Sequence, residues 1–228
     1  MNDKQLVAEY AASRILDGML VGLGTGSTAN YFIDALARRM REESLTISTV
    51  SSSVVSAIKA HTLGLPLVGI DQVERLDVYV DGADEVDSEM SLLKGKGSDL
   101  VREKLLAQNS HAFWVLIDQS KRVERLASKS PVPVEVMPFA WRLVLRSIEA
   151  IGGRGGLRLN SAGDGIAVTA HGSLILDIFF DTATDITLLN NTLSAIPGVV
   201  EHGIFHRLAT EVFCGVEGKI QRQTPDKI

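Results

Sequence analysis

Four short apolar runs, "MLVGL", "TISTV", "LDVYVDG" and "FWVLID", are separated within the first 120 or so residues by stretches of helical spacing. Most of the runs are uniform in apolarity rather than alternating. A strand carries that pattern when both faces are covered, as parallel strands are when helices flank them. The flanking segments fit. "DKQLVAEYAASRIL" places Leu6, Val7, Tyr10, Ala11 and Ile15 on one helical face, and "STANYFIDALARRM" does the same with Ala29, Phe32, Ile33, Leu36 and Met40. "LPLVGI" reads as a further strand. The expected class is α/β, with a doubly wound, mostly parallel, Rossmann-like sheet.

The rhythm changes near "KSPVPVEVMP", whose prolines suggest a linker leading into a new strand. "AWRLVLRSIEAI" is a helix halted by Gly152 and Gly153. "LRLNSAGDGIAVTAHGSLILDIFF" reads as successive strands with a glycine-containing turn at 163–165. "ITLLNNTLSAI" is another helix, stopped by Pro197 and Gly198, and "VVEHGIFH" another strand. A strand–helix–strand–strand–helix–strand order describes a small α+β module of ferredoxin-like type. The expected domains are residues 1–129 with 206–228, and 130–205, with "LATEVFCGV" returning to the first sheet.

Composition narrows the function. The net charge is −5, from 23 basic and 28 acidic residues, with 5% aromatics and no basic tract. Nucleic-acid binding is therefore not expected. No apolar run approaches the roughly 20 residues of a membrane span, and the acidic, amphipathic start is unlike a secretory signal. Cys214 is the single cysteine, so no internal disulfide or cysteine-based metal finger forms. The expectation is a cytoplasmic globular protein.

"VGLGTGST" lies between a strand and a helix, where open α/β sheets bind ligands. Gly22, Gly24 and Gly26 alternate, but Ser27 stands where a dinucleotide fingerprint needs its last glycine, and "TISTV" ends in "SSS" without an acid for a ribose hydroxyl. A single anion fits this loop, because unpaired amides and a positive dipole end meet there. The plainer alternative is a tight turn with Ser27 or Thr28 as helix cap.

"DVYVDGADEVDSEMSLLKGKGSDLVREK" crowds charge onto bends. Asp81 and Asp84 follow an apolar run, and glycines around Lys94 and Lys96 let the backbone approach a ligand closely. Ser98 or Asp99 is placed to cap the next helix. Glu103 lies on its first turns, with Leu100, Leu106 and Ala107 three or four positions away. Partial burial would raise its pKa and a neighbouring Lys94 would lower it, a balance suited to a general base. The alternative is that "REK" is an ordinary exposed helix face.

Taken together, "GTGST", "SSS", "VDGADEVD", "LKGKG…REK", "IDQSKRV", "PVPVEVMP" and "AIPGVVEHGIF" resemble type A ribose-5-phosphate isomerases in order and approximate spacing, over most of the chain. That resemblance implies an aldose–ketose isomerase of the pentose phosphate pathway, converting ribose 5-phosphate and ribulose 5-phosphate through a cis-enediolate without metal or other cofactor. It implies Glu103 as the proton-shuttling base. Asp81 resembles the group assisting ring opening, a task it disputes with Lys94, while Asp84 and Lys94 resemble groups that orient hydroxyls and stabilise the oxyanion. Thr25, Gly26, Ser27 and Thr28 match the substrate-holding loop, and Lys121 the other substrate-binding lysine. Gly82, Ala83, Gly95, Lys96 and Gly97 complete the implied binding segments. A homodimer, with contacts from the small module, is also implied. Two departures stand out: Lys96 where the family's "KGGG" segment has glycine, and Val54 and Val55 where relatives commonly carry polar residues.

His61, His111, His171, His202 and His206 are scattered. Only the last two stand four apart, in a strand-like stretch, and surface solvation explains them better than a metal. Ser51, Ser52 and Ser53 read as a turn or cap that touches substrate, Asp118 as a strand-end cap or a partner of Lys121, and Trp114 and Trp141 as core. Two other classes of function compete. One is a sugar-phosphate sensor that binds without turnover, and the other an acyl-CoA transferase-like enzyme. Turnover with chelator present separates the first from an isomerase, and labelling by acyl-CoA tests the second.

Overall fold

A computed structural model describes residues 2–181 and 184–225. In chain order the elements are α1 (Asp3–Ser13), β1 (Leu20–Leu23), α2 (Ser27–Glu43), β2 (Ser48–Ser51), α3 (Val54–Thr62) and β3 (Leu76–Asp81). Then come β4 (Glu85–Val86), β5 (Leu92–Leu93), α4 (Leu100–Gln108), β6 (Ser110–Asp118) and β7 (Val132–Val136). The remainder are α5 (Trp141–Ala150), β8 (Arg154–Leu157), β9 (Leu174–Phe179), α6 (Ile186–Ala195), β10 (Val199–His202), β11 (Ile204–Phe205), β12 (Glu211–Val216) and β13 (Lys219–Gln223). The chain divides into two compact units: Met1–Ala83, Arg102–Arg122 and Leu208–Ile228 form the first, and Asp84–Val101 and Val123–Arg207 the second.

The first unit is built on a six-stranded sheet in the order β13-β12-β6-β3-β1-β2. Every adjacent pair is parallel except β12 with β13. The parallel strands carry the near-continuous burial that their sequences announced: five of the six residues of β3, all but its second position, are buried. Because they run parallel, Leu23, Ser51, Asp81 and Asp118 all finish at the same edge. The chain leaves β1 for β2 on one side and reaches β3 on the other, so the order reverses there and a crevice opens at the carboxyl ends. That edge receives "GTGST", "SSS", Asp81 and Lys121.

The helices behave nearly as their spacing foretold. Asn2 caps α1 by accepting the Gln5 N–H (2.8 Å), which stabilises such a helix by about 1 kcal/mol. Its buried face is Val7, Ala8, Ala11 and Ala12, one step round from expectation, leaving Tyr10 exposed and Leu6 half-buried. Alanine at three of these positions lets α1 approach α2 closely. In α2 the expected Ala29, Phe32, Ile33 and Leu36 are buried and Met40 is half-buried. "LPLVGI" is not a strand. Leu67 makes one bridge to Thr49, after which Ile70–Gln72 forms a 3-10 turn. Gly64, Pro66 and Gly69 interrupt any ladder there.

The second unit contains an antiparallel sheet ordered β10-β7-β9-β8, with α5 and α6 as its helices, which is the ferredoxin-like order. The proline-rich segment is no mere linker. It contains β7, an inner strand buried at every position, with Val132, Val134 and Val136 in the unit's apolar core. "VVEHGIFH" splits at Gly203 into β10 and β11, and β11 joins a second small sheet, β11-β5-β4. A side chain at 203 would overlap the Lys94 carbonyl and Pro133. This extra sheet explains why the second unit also takes in Asp84–Val101, beyond the continuous 130–205 module the sequence suggested. Among the described residues, no helix is long and apolar enough to cross a membrane.

Candidate active site

In the first unit, Asp81 ends β3 fully buried. Its Oδ1 accepts the Thr25 N–H (3.0 Å) and the Gly82 N–H (2.7 Å), and its Oδ2 accepts the Tyr79 hydroxyl. Gly22 in β1 and Gly24 just beyond it have a job the sequence reading did not give them. A methyl group at Gly24 would coincide with the Asp81 carboxyl, and one at Gly22 would lie 2.7 Å from the Tyr79 ring. Those glycines clear a shelf for two side chains of the neighbouring strand. Tyr79 stacks on Phe113 (centroids 5.0 Å apart) and is fully buried. Burial drives its phenol pKa well above the ordinary value, and the nearby charges of Asp81 and Glu103 push it the same way.

The loop beside this shelf is the one expected to hold an anion. Gly26, at φ 107, takes a conformation that side-chain-bearing residues avoid, and it occupies the N-cap of α2. Neither Ser27 nor Thr28 caps the helix; both lie inside its first turn, Ser27 exposed and Thr28 buried. The sequence reading overlooked Lys4. From α1 its ammonium reaches the Ser27 hydroxyl (3.2 Å) and stands 3.8 Å from Asp118. Only the return of α1 to this edge reveals it, since nothing in "NDKQL" marks that lysine. Lys121 ends a 3-10 turn that Asp118 caps by accepting the Ser120 N–H. Burial raises the Asp118 pKa, but hydrogen bonds from Ser120 and the charges of Lys4 and Lys121 outweigh it and hold the carboxyl below its usual range.

The serine triplet is buried, not a surface turn. Ser53 caps α3 by accepting the Ser56 N–H (3.1 Å). Thr25 Oγ1 lies 2.6 Å from Ser53 Oγ and 3.1 Å from Ser52 Oγ. Val54 and Val55 begin α3 and are exposed. Glu103 lies in the first turn of α4 and is only 4% exposed, with Lys104 at 5%. "REK" is therefore not a solvated face. The carboxylate is close enough to Tyr79 for its charge to bear on the phenol.

In the second unit, Asp84 and Lys94 belong to the edge of the small sheet. The Asp84 N–H donates to the Leu93 carbonyl (2.8 Å), and the Asp84 carboxylate accepts the Lys96 N–H (3.3 Å). Lys94 is 4% exposed; its N–H donates to Gly203, and its ammonium lies 5.7 Å from the centre of the Phe205 ring. Gly95, at φ 105, is packed so tightly that a side chain would overlap Leu100. Arg158 donates to the carbonyls of Gly95 (2.8 Å) and Lys96 (3.3 Å) and to Ser98 Oγ (3.2 Å), while a two-pronged ion pair fixes it to Asp177. Lys96 and Gly97 are exposed.

The histidine pair is structural. His202 is buried and contacts Ser194 Oγ (2.9 Å) and the Asn190 carbonyl (3.1 Å) through Nε2. His206 lies between Ser91 and Thr187. Trp114 is core, as expected, with the Arg14 guanidinium over its ring.

Comparison with known proteins agrees with this architecture. Residues 48–219 match the family model of ribose 5-phosphate isomerase A (phosphoriboisomerase A). A ribose-5-phosphate isomerase A from Thermosynechococcus vestitus is 44% identical over 221 residues, covering 96% of this chain and 94% of the relative. The ribose 5-phosphate isomerase A structure from Methanocaldococcus jannaschii superposes with a TM-score of 0.93 at 38% identity, covering 97% of this chain and 98% of that one. A D-ribose-5-phosphate isomerase solved in complex with phospho-erythronic acid gives 0.94 at 36% identity, over 98% and 100%. With the family model spanning most of its length and full-length relatives on both measures, this chain belongs to the ribose 5-phosphate isomerase A family.

Proposed function

We propose that this chain interconverts D-ribose 5-phosphate and D-ribulose 5-phosphate through a cis-enediolate, with Glu103 as the base. The observation that carries the reading is the pair of buried carboxylates in the first unit, Asp81 at 0% and Glu103 at 4% exposure, in a chain of this family. Both are held out of water, and an isomerase needs a carboxylate there that accepts a proton and gives it back.

In the aldose-to-ketose direction, Glu103 removes the C2 hydrogen of the open-chain aldehyde as a proton, and the C1 carbonyl oxygen becomes the enediolate anion. The same carboxyl then returns the proton to C1. The O2 hydroxyl loses its proton to become the ketone, and O1 gains one, so atoms and electrons balance without an external redox partner. Asp81 is read as exchanging a proton with the ring or anomeric oxygen. Asp84 and Lys94 are read as orienting hydroxyls and stabilising the oxyanion, a task for which a positive charge out of water is most effective. The N-terminus of α2, with Ser27, Lys4 and Lys121, offers donors and positive charge for the 5-phosphate.

Purified protein with EDTA should convert ribose 5-phosphate to ribulose 5-phosphate. Glu103→Gln should lower kcat by roughly a thousandfold or more while leaving ligand-induced thermal stabilisation in place. Stabilisation of the wild type by ribose 5-phosphate with no product would instead make it a sugar-phosphate sensor.

A further inference from the structure

The Asp81 shelf has a second layer that no role described above uses. Beneath the carboxylate, the Tyr79 hydroxyl donates to Oδ2. On the other side, the Thr25 backbone N–H donates to Oδ1, and Thr25 Oγ1 lies 3.1 Å from Ser52 Oγ. Asp81 is thus gripped at both oxygens, by the phenol and by the Thr25 loop. Tyr79 and Ser52 are fully buried, so water does not substitute for either. Gly22 of β1 and Gly24 just after it make room for this arrangement.

We propose that Tyr79 is a positioning residue for Asp81, restraining the rotation of its carboxylate for proton exchange with the sugar. A carboxylate at the end of a strand can turn about two side-chain bonds. The two peptide N–H groups hold Oδ1. A phenol from the rigid core on Oδ2 adds a fixed donor at the other oxygen and restrains that rotation. The phenol is suited to the task because burial and the charges of Asp81 and Glu103 keep it protonated, and thus always a donor. The Thr25 N–H on Oδ1 ties the carboxylate's orientation to the loop read as holding substrate.

This inference rests on the isomerase reading, and the experiment separates the two. Tyr79→Phe removes one oxygen and keeps the ring that fills the space over Gly22 and stacks on Phe113. It should lower kcat for ribose 5-phosphate by about tenfold or more with KM nearly unchanged, as misplacement of a reacting group does. In an Asp81→Asn background the same substitution should cost less than about twofold, because residues acting as a unit are not additive. Wild-type kcat in Tyr79→Phe, or a full tenfold loss in both backgrounds, overturns the proposal. Should the wild type itself fail to isomerise, the function reading falls instead. The crystal structure of Tyr79→Phe then decides: a rotated Asp81 carboxylate upholds the positioning role, and an unmoved one ends it.

Discussion

The Asp81 shelf of the first unit and the Lys94 loop of the second are shaped by different contacts. Asp81 accepts from two peptide N–H groups and a phenol, in a space cleared by glycines. Lys94 is a cation whose loop is held by charge, through Arg158 gripping two carbonyls while Asp177 grips Arg158. The first device depends on shape, since its donors are part of the backbone or locked in the core. The second depends on one long side chain reaching about sixty residues along the sequence. The lesson is that a shelf fails by crowding and a clamp fails by truncation.

The largest effect should come from crowding. Gly24→Ala places a methyl group on the Asp81 carboxyl, and a displacement of about 1 Å can cost on the order of a hundredfold in kcat. Steady-state kinetics at fixed protein fold, checked by circular dichroism, measures this; activity within a few-fold of wild type would mean the shelf is not confining. Truncation comes next. Arg158→Ala should remove hydrogen bonds from two carbonyls and strand Asp177, at a cost of about 2 kcal/mol in urea unfolding. Arg158→Lys should recover little, because an ammonium cannot serve the carboxylate and the loop with a planar fork. Full recovery by lysine would show that charge alone holds the loop.

The smallest effect contrasts the two units by pH. In the first, burial raises the Glu211 pKa, but hydrogen bonds from Arg14 and Arg222 outweigh it and leave it below the ordinary glutamate value of 4.5. A lowered folded pKa gives stability that is present above the unfolded value and lost as pH falls through the folded one. In the second, burial raises the Glu135 pKa above 4.5, against hydrogen bonds from Thr169 and Ser173. Its contribution is present below the unfolded value and lost as pH rises through the folded one. Compared with Glu211→Gln, the wild type should therefore lose stability on acidification from neutral pH; compared with Glu135→Gln, it should gain. Urea midpoints at a series of pH values test both, and differences of the same sign would refute the contrast.

Sequence made the first unit legible because parallel strands write burial as continuous apolarity, and "LDVYVDG" and "FWVLID" show it plainly. The strand–helix–strand–strand–helix–strand order of the second unit was visible in the same way. "SPVPVEVMP" misled because its prolines outweighed its valines, although it contains an inner strand. Two-residue strands such as β4, β5 and β11 leave no periodicity to read. Around the site, Asp81, Lys94 and Glu103 stand out by charge against apolar or glycine neighbours. The purpose of Gly22 and Gly24 does not, because it lies in side chains of another strand. Lys4, Tyr79 and Arg158 escaped for the same reason, since each acts across a distance that only the fold closes.

The central claim is that Glu103 carries hydrogen as a proton between adjacent carbons, and proton NMR of the reaction in deuterium oxide tests it most directly. Wild-type protein should introduce solvent deuterium at C1 of ribulose 5-phosphate or C2 of ribose 5-phosphate during turnover. Glu103→Gln, still stabilised by ligand, should introduce none on the same timescale. Deuterium incorporation by Glu103→Gln at the wild-type rate would contradict the account.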